Sequence, residues 1–195
     1  MRYFIKKTAL AFALIFTISV VGKAQKTYQS QSFDIRLNGT SNVHDWEMKA
    51  VKGTSEATFF VDTKGRLTSL SKISFMVPAR NLKSEHTGMD KNTYKALKSD
   101  ANPNISFKGT SATIASTGGN NYQLNCKGEM SIAGTIKQTD LVATCVYNPD
   151  DKSFTITGVK KMKMTDYNVQ PPKALMGTIK TGNDISIAYN LKFSS

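Results

Sequence analysis

Few residues in this chain are of types that do chemistry, and their spacing decides what that chemistry is. There are two histidines, His44 and His86, and two cysteines, Cys126 and Cys145. A zinc site takes three or four protein ligands at recognisable spacings, and none of those spacings occurs here, so no metal and no cofactor is expected. Ser84-Glu85-His86 holds the residue types of a nucleophilic triad. A triad, however, is a spatial arrangement and not a run of neighbours. No Gly-x-Ser-x-Gly elbow accompanies it. The chain is not expected to be an enzyme.

The remaining polar groups are better suited to holding a ligand than to transforming one. His44-Asp45-Trp46 offers an imidazole, a carboxylate and an indole within three residues. At the mouth of a cavity they would meet a ligand's head. The plainer alternative is a turn with a satisfied histidine and a rim tryptophan, both ring types being commonly half-buried. Lys160-Lys161-x-Lys163 is a small basic cluster in which Lys160 shares a strand face with Ile156 and Met162. Lys160 is a candidate partner for a phosphate or carboxylate head, as are Arg80 and Lys83 just after Pro78, against the alternative of a solvated outer face. Aromatic and basic residues do not interleave in the RNA-binding manner, so no nucleic-acid partner is expected.

The cysteines invite a pairing. If Thr135-Ile136 forms a two-residue turn, Cys126 stands opposite Cys145 on the neighbouring strand. An oxidising compartment would permit a disulfide there. The alternative is a pair of small buried hydrophobes.

The elements that must position these groups read as strands. Ile185, Ile187, Tyr189, Leu191 and Phe193 fall on one face of the C-terminal run, and Ser186, Ala188, Asn190, Lys192 and Ser194 on the other. Similar alternation marks eight strands, at 26–38, 44–62, 66–78, 103–116, 120–133, 139–148, 152–164 and 182–194, with turn-forming residues at 62–65, 117–120, 134–138 and 148–151. Residues 81–101 lack the alternation and hold a short helix from Asp90 to Leu97, and 165–181, with Pro171-Pro172, reads as a long loop. Runs of 11–14 residues span roughly 36–46 Å at ~3.3 Å per residue, well beyond the usual ~5–6-residue strand. Such strands form either a sandwich or a closed barrel, and that length suits the wall of an all-β, eight-stranded antiparallel up-and-down barrel, with a helical insert near 81–101.

A barrel of that size can hold one small ligand among inward side chains. The candidates for an apolar tunnel are Phe75, Phe107, Leu124, Ile132, Phe154, Ile156, Met162, Ile187 and Tyr189, with Met89, Tyr94 and Leu97 of the insert closing one mouth. About half of them are expected to be ordinary core, because such barrels are often filled by side chains. Two functions follow: a carrier or sensor with an apolar ligand inside, or a secreted structural or interaction barrel with none.

The chain's 195 residues suit one domain. Residues 1–24 read as a secretory signal: Arg2, Lys6 and Lys7, an apolar stretch from Ala9 to Val21, then Gly22-Lys23-Ala24. Residues 25–195 are then the binding domain, exported and bearing 22 basic against 14 acidic groups. Such a charge favours an anionic surface or head, so membrane-surface contact is a possible role. A closed barrel has no free edge and requires no strand-to-strand dimer, leaving monomer and homodimer open.

Several segments resemble the YceI-like family of secreted bacterial lipocalin-like barrels. They are Ser41-Asn42-Val43-His44-Asp45-Trp46, Met89 to Ser99 followed by Asn102-Pro103-Asn104-Ile105-Ser106-Phe107, Gly128 to Lys137, and Gly177 to Ile185. Their order matches the family over nearly all of 26–195. The segment Asp166-Tyr167-x-Val169-x-Pro171-Pro172 differs from the family's shorter loop, so the resemblance implies no ligand contact there. What it does imply is non-catalytic binding, in the periplasm, of polyisoprenoids, isoprenoid quinones or other long amphiphilic lipids.

Overall fold

A computed structural model describes residues 26–194 of the chain; the expected signal at 1–24 lies outside them. The strands are β1 (Lys26–Ser41), β2 (Trp46–Ala50), β3 (Thr54–Val61), β4 (Leu67–Pro78), β5 (Leu82–Lys83), β6 (Asn104–Gly118), β7 (Asn121–Ile132), β8 (Thr135–Asn148), β9 (Ser153–Lys163), β10 (Lys173–Ala174) and β11 (Ile179–Ser194). Helix α1 (Thr87–Ala96) sits between β5 and β6. One antiparallel sheet runs β10-β11-β9-β8-β7-β6-β4-β3-β1-β2-β5, and pairing of β11 with β1 closes it. Because β2 and β3 together form one wall, this is the closed eight-stranded barrel with a short helical insert that the alternation predicts.

The 44–62 run is interrupted. β2 and β3 pair with β1 in one common register, Arg36 with Lys49 and Gln29 with Glu56, but the chain leaves the ladder between them. Val51 donates its N–H to the Asn81 carbonyl at 2.9 Å, and Ala50 pairs with Leu82 of β5. At the break, the Phe33 ring occupies the space a side chain at Gly53 would need. Alternation continues through a detour of this kind, so the sequence pattern does not reveal it.

The β7–β8 turn is also placed differently. Ala133 and Gly134 form it with φ of 51° and 80°, and Ile132 pairs with Thr135. Two successive positive φ values match the twist of a tight hairpin. This register sets Cys126 opposite Leu141 and Cys145 opposite Tyr122, four residues out of step with each other. Both thiols are free and buried. The expected disulfide is therefore corrected to two separate core thiols. Burial pushes the Cys126 thiol up to about 11, and burial with the neighbouring Cys126 pushes Cys145 up to about 12.

Side chains fill the barrel at the end that carries the β3–β4, β6–β7 and β8–β9 turns. Phe59 and Phe154 stack with centroids 3.8 Å apart, and Tyr28, Tyr147 and Phe193 pack around them. Leu124, Cys126, Cys145, Ile156 and Leu191 form the next layer, all essentially without exposure. Above them two rings lie over glycines of adjoining strands: Tyr189 over Gly158 and Phe107 over Gly128. A Cβ at either glycine would overlap the ring, so only glycine permits the close approach. Those rings are the floor of the space beyond.

Candidate functional site

At the other end the barrel is hollow. A cavity of about 770 Å³ lies above the floor, within the roughly 300–1,000 Å³ range of ligand pockets. Its wall is apolar: Ile35 and Leu37 of β1, Met48 of β2, Phe75 and Val77 of β4, Ile105 of β6, Met130 and Ile132 of β7, Met162 of β9, Ile185 and Ile187 of β11. Helix α1 covers one side with Met89, Thr93 and Ala96, followed by Leu97, and the Thr93 hydroxyl meets the Met48 sulfur at 3.3 Å. The segment between β9 and β11 covers the other side with Met164, Tyr167, Val169, Leu175 and Met176.

Six of the expected tunnel residues line this cavity: Phe75, Met89, Leu97, Ile132, Met162 and Ile187. Five others lie at or below the floor as packed core: Phe107, Leu124, Phe154, Ile156 and Tyr189. Their strand parity is right, but their height places them in the filled end. Tyr94 is corrected as well. It leaves the cavity-facing stripe of α1 and donates its hydroxyl to the Arg80 and Leu82 carbonyls at 3.0 and 2.9 Å, pinning the helix to the preceding segment.

Of the head-group candidates, His44 and Trp46 stand at the cavity mouth. The Trp46 indole lies across Gly39 and donates its N–H to the Thr40 carbonyl at 2.9 Å. His44 Nδ1 is 2.6 Å from the Asp45 carbonyl oxygen. Arg80 is elsewhere, bonded to Asp100 on the outside with its guanidinium 5.7 Å from the Tyr94 ring centre. Lys160 is also displaced from the cavity. The β8–β9 ladder ends at Ala143–Gly158, and beyond it the Lys160 ammonium reaches across to the Asp140 carbonyl at 2.9 Å. It braces the splayed wall.

The polar lining collects at the mouth. Both histidines are there, with Lys91, Asn92, Lys163, Lys173 and Thr181, and among the described residues no aspartate or glutamate lines the cavity. Among the described residues no group of three or more His, Cys, Asp or Glu is placed to hold a metal ion. None of their helices is long and apolar enough to cross a membrane.

Two features escaped sequence reasoning. One is the loop over 165–181, which contributes much of the cover. The other is the weight of methionine: Met89 and Met162 were expected, but of the chain's eight methionines Met48, Met130, Met164 and Met176 line the cavity as well. Methionine is the flexible residue that adapts to irregular apolar ligands, so its count was the available signal.

A family model described as YceI-like domain matches residues 18–193. No curated protein matches the chain. Solved structures of similar fold include BcnA of Burkholderia cenocepacia, at 16% identity and TM-score 0.65, covering 82% of this chain and 95% of that one. A polyisoprenoid binding domain from Saccharophagus degradans, implicated in plant cell wall breakdown, aligns at 7% identity and TM-score 0.63, covering 87% and 98%. The YCEI protein of Campylobacter jejuni aligns at 12% identity and TM-score 0.53, covering 100% and 99%. At such identities the likeness is one of fold.

Proposed function

The chain belongs to the YceI-like domain family, and we propose that it is a non-enzymatic binding protein for a long-chain amphiphilic lipid. Its ligand is a polyisoprenoid, an isoprenoid quinone or a fatty-acid derivative, held with the tail above the Tyr189 floor and the head at the mouth. One observation carries this reading: an apolar, methionine-rich cavity that is blind at one end and opens at the other among polar groups. An extended chain leaving water gains about 0.8 kcal/mol per buried CH₂. Ten such groups give about 8 kcal/mol before the cost of ordering the tail. The polyisoprenoid binding domain of Saccharophagus degradans has the same fold and supports the same class of ligand.

Residues 1–24 direct export and residues 25–195 act in the periplasm, in transport, storage or sensing of the lipid. The polar groups at the mouth serve to orient a head. His44 directs Nδ1 at a backbone carbonyl and not at a carboxylate, which is the arrangement of a positioned ring and not of a charge-paired base.

The test is organic extraction of protein purified from its native compartment, followed by mass spectrometry. A co-purifying long-chain lipid near one per protein is expected. Ile132→Trp, which sets an indole into the lumen and narrows it, should lower the lipid content while the barrel remains folded. An extract without lipid, together with unchanged Trp46 fluorescence on adding polyprenols, quinones and fatty acids, would leave a secreted barrel with no ligand.

A further inference from the structure

The rim of the cavity mouth presents three apolar side chains to solvent. Val43 stands in the β1–β2 turn at 61% exposure, and Leu175 and Met176 between β10 and β11 at 71% and 109%. The two loops are joined through Asn42. Its backbone N–H donates to the Lys180 carbonyl at 3.1 Å and its amide to the Thr178 carbonyl at 2.9 Å, while its side-chain oxygen accepts the Lys180 N–H at 2.7 Å. The apolar tips therefore stand on one braced platform. Leu175 and Met176 also hold φ of 48° and 55°, a left-handed backbone that is costly for side chains of this size.

Among the described residues, the charged side chains that line the cavity itself are all lysines. Lys91, Lys163 and Lys173 line it, and Lys180 follows on β11. Among the described residues, no salt bridge engages any of the four. The carboxylates of this end, Asp45, Glu47, Asp166 and Asp184, line an adjoining groove on the outside of the barrel, which meets the cavity at Trp46, Met162, Lys163 and Ile185.

We propose that the mouth docks onto the surface of an anionic lipid bilayer, with Val43, Leu175 and Met176 entering the headgroup layer and the rim lysines meeting lipid phosphates. The inference deepens the lipid-binding reading and rests on it for the purpose of docking: a tail passes between bilayer and cavity without crossing water. Separate apolar tips flanked by ammonium groups and set around a hole suit a fluid surface. A second folded protein would need a continuous face. Partition into an interface grows with apolar burial and with attraction to anionic lipid, at about fivefold per lysine.

The test is co-sedimentation of protein from its native compartment with vesicles of phosphatidylglycerol and phosphatidylcholine, and with phosphatidylcholine alone. Binding to the anionic vesicles, weakening with salt, is expected, with little binding to the neutral ones. Val43→Asp and Met176→Asp should each lower it more than tenfold, and Lys173→Gln with Lys180→Gln about 25-fold. Brominated acyl chains should quench Trp46 at the mouth. All four positions are exposed, Lys173 and Met176 at the lip of the cavity and Val43 and Lys180 beside it, and melting curves check that the variants fold. Equal binding to both vesicle types, or binding untouched by Val43→Asp and Met176→Asp in folded protein, would overturn docking. Lipid extracted from the same preparations separates the two claims: lipid present without vesicle binding refutes docking alone, and vesicle binding without extractable lipid refutes the carrier and leaves docking standing.

Discussion

The Tyr189 ring of β11 packs its tip over Gly158 of β9, and its hydroxyl donates to the Val142 carbonyl of β8 at 2.9 Å. One side chain thus spans three strands and divides the filled end of the barrel from the hollow end. Burial pushes its phenol up to about 12, so it stays a neutral donor at any ordinary pH.

Gly158→Ala puts a methyl group where the ring lies and forces Tyr189 upward. Overpacking of this kind costs about 1–3 kcal/mol. The variant should lose that stability in urea unfolding and also carry less lipid, because the floor rises. Tyr189→Phe keeps the ring and removes only the hydrogen bond, at about 0.5–1.5 kcal/mol, and should keep its lipid. If both variants behaved alike, the ring would not be a floor.

Stability and lipid content should separate along the barrel axis. Phe154 is fully buried and stacked on Phe59, so Phe154→Ala should cost about 3–5 kcal/mol. Ile187 is two residues from Tyr189 on the same face but borders the void and is only partly buried. Ile187→Ala should therefore cost under about 2 kcal/mol, because fewer packed contacts are lost. Lipid affinity should follow the opposite order, read by extraction for Ile187→Ala and by denaturation for both. A reversed stability order would mean that the cavity lies at the other end.

The contrast between those two residues also shows how far the sequence could be read. Alternation put Ile185 through Phe193 on one inward face, and the structure keeps them there. Period two reports a face and carries no information about height. Whether an inward position meets a ring or empty space depends on Phe59, Phe154 and Phe107, which come from strands distant in sequence. Tyr94 fails for a related reason: it is one position off the helical stripe of Met89, Thr93 and Ala96, and its hydroxyl finds carbonyls on the outside. Lys160 keeps inward parity in the β9–β11 ladder, opposite Ile187, but the β8–β9 ladder has ended there and its long side chain bonds the Asp140 carbonyl of β8 instead of entering the cavity. The misplaced β7–β8 turn shows how a two-residue error in a hairpin carries the cysteines out of register. His44 and Trp46 were legible at a barrel end because they stand where one strand run gives way to the next.

The thiols offer a direct check of that register. With Cys126 opposite Leu141 and Cys145 opposite Tyr122, unfolding without reductant should release two titratable thiols, and reductant should leave the unfolding midpoint unchanged. In the native protein both are buried, with pKa values pushed to about 11 and 12. Thiolate is the reactive form, so alkylation at pH 8 should be slow until denaturant is added. A count of zero thiols would restore the bond and require a different β7–β8 pairing.

Acid should act on the cover of the cavity through Asp90, a buried side chain in the first turn of α1. Desolvation there opposes its charge, but the Ser84 N–H and hydroxyl, both 2.8 Å away, and the Lys83 ammonium at 3.6 Å outweigh it and hold the carboxyl below its ordinary value. The folded protein therefore binds this proton less readily than the unfolded chain. Its stabilising effect is complete above the unfolded value of about 3.9 and is lost as pH falls through the depressed folded value. Asp90→Asn removes the charge at every pH. The stability gap between the native protein and this variant should be constant from pH 7 to about 5 and should close below about 4. Since α1 holds Met89 over the void and leads into Leu97, the variant should also release lipid faster at neutral pH, as the native protein does only in acid. A gap that stays constant through the acid range would show that Asp90 does not anchor the helix through its charge.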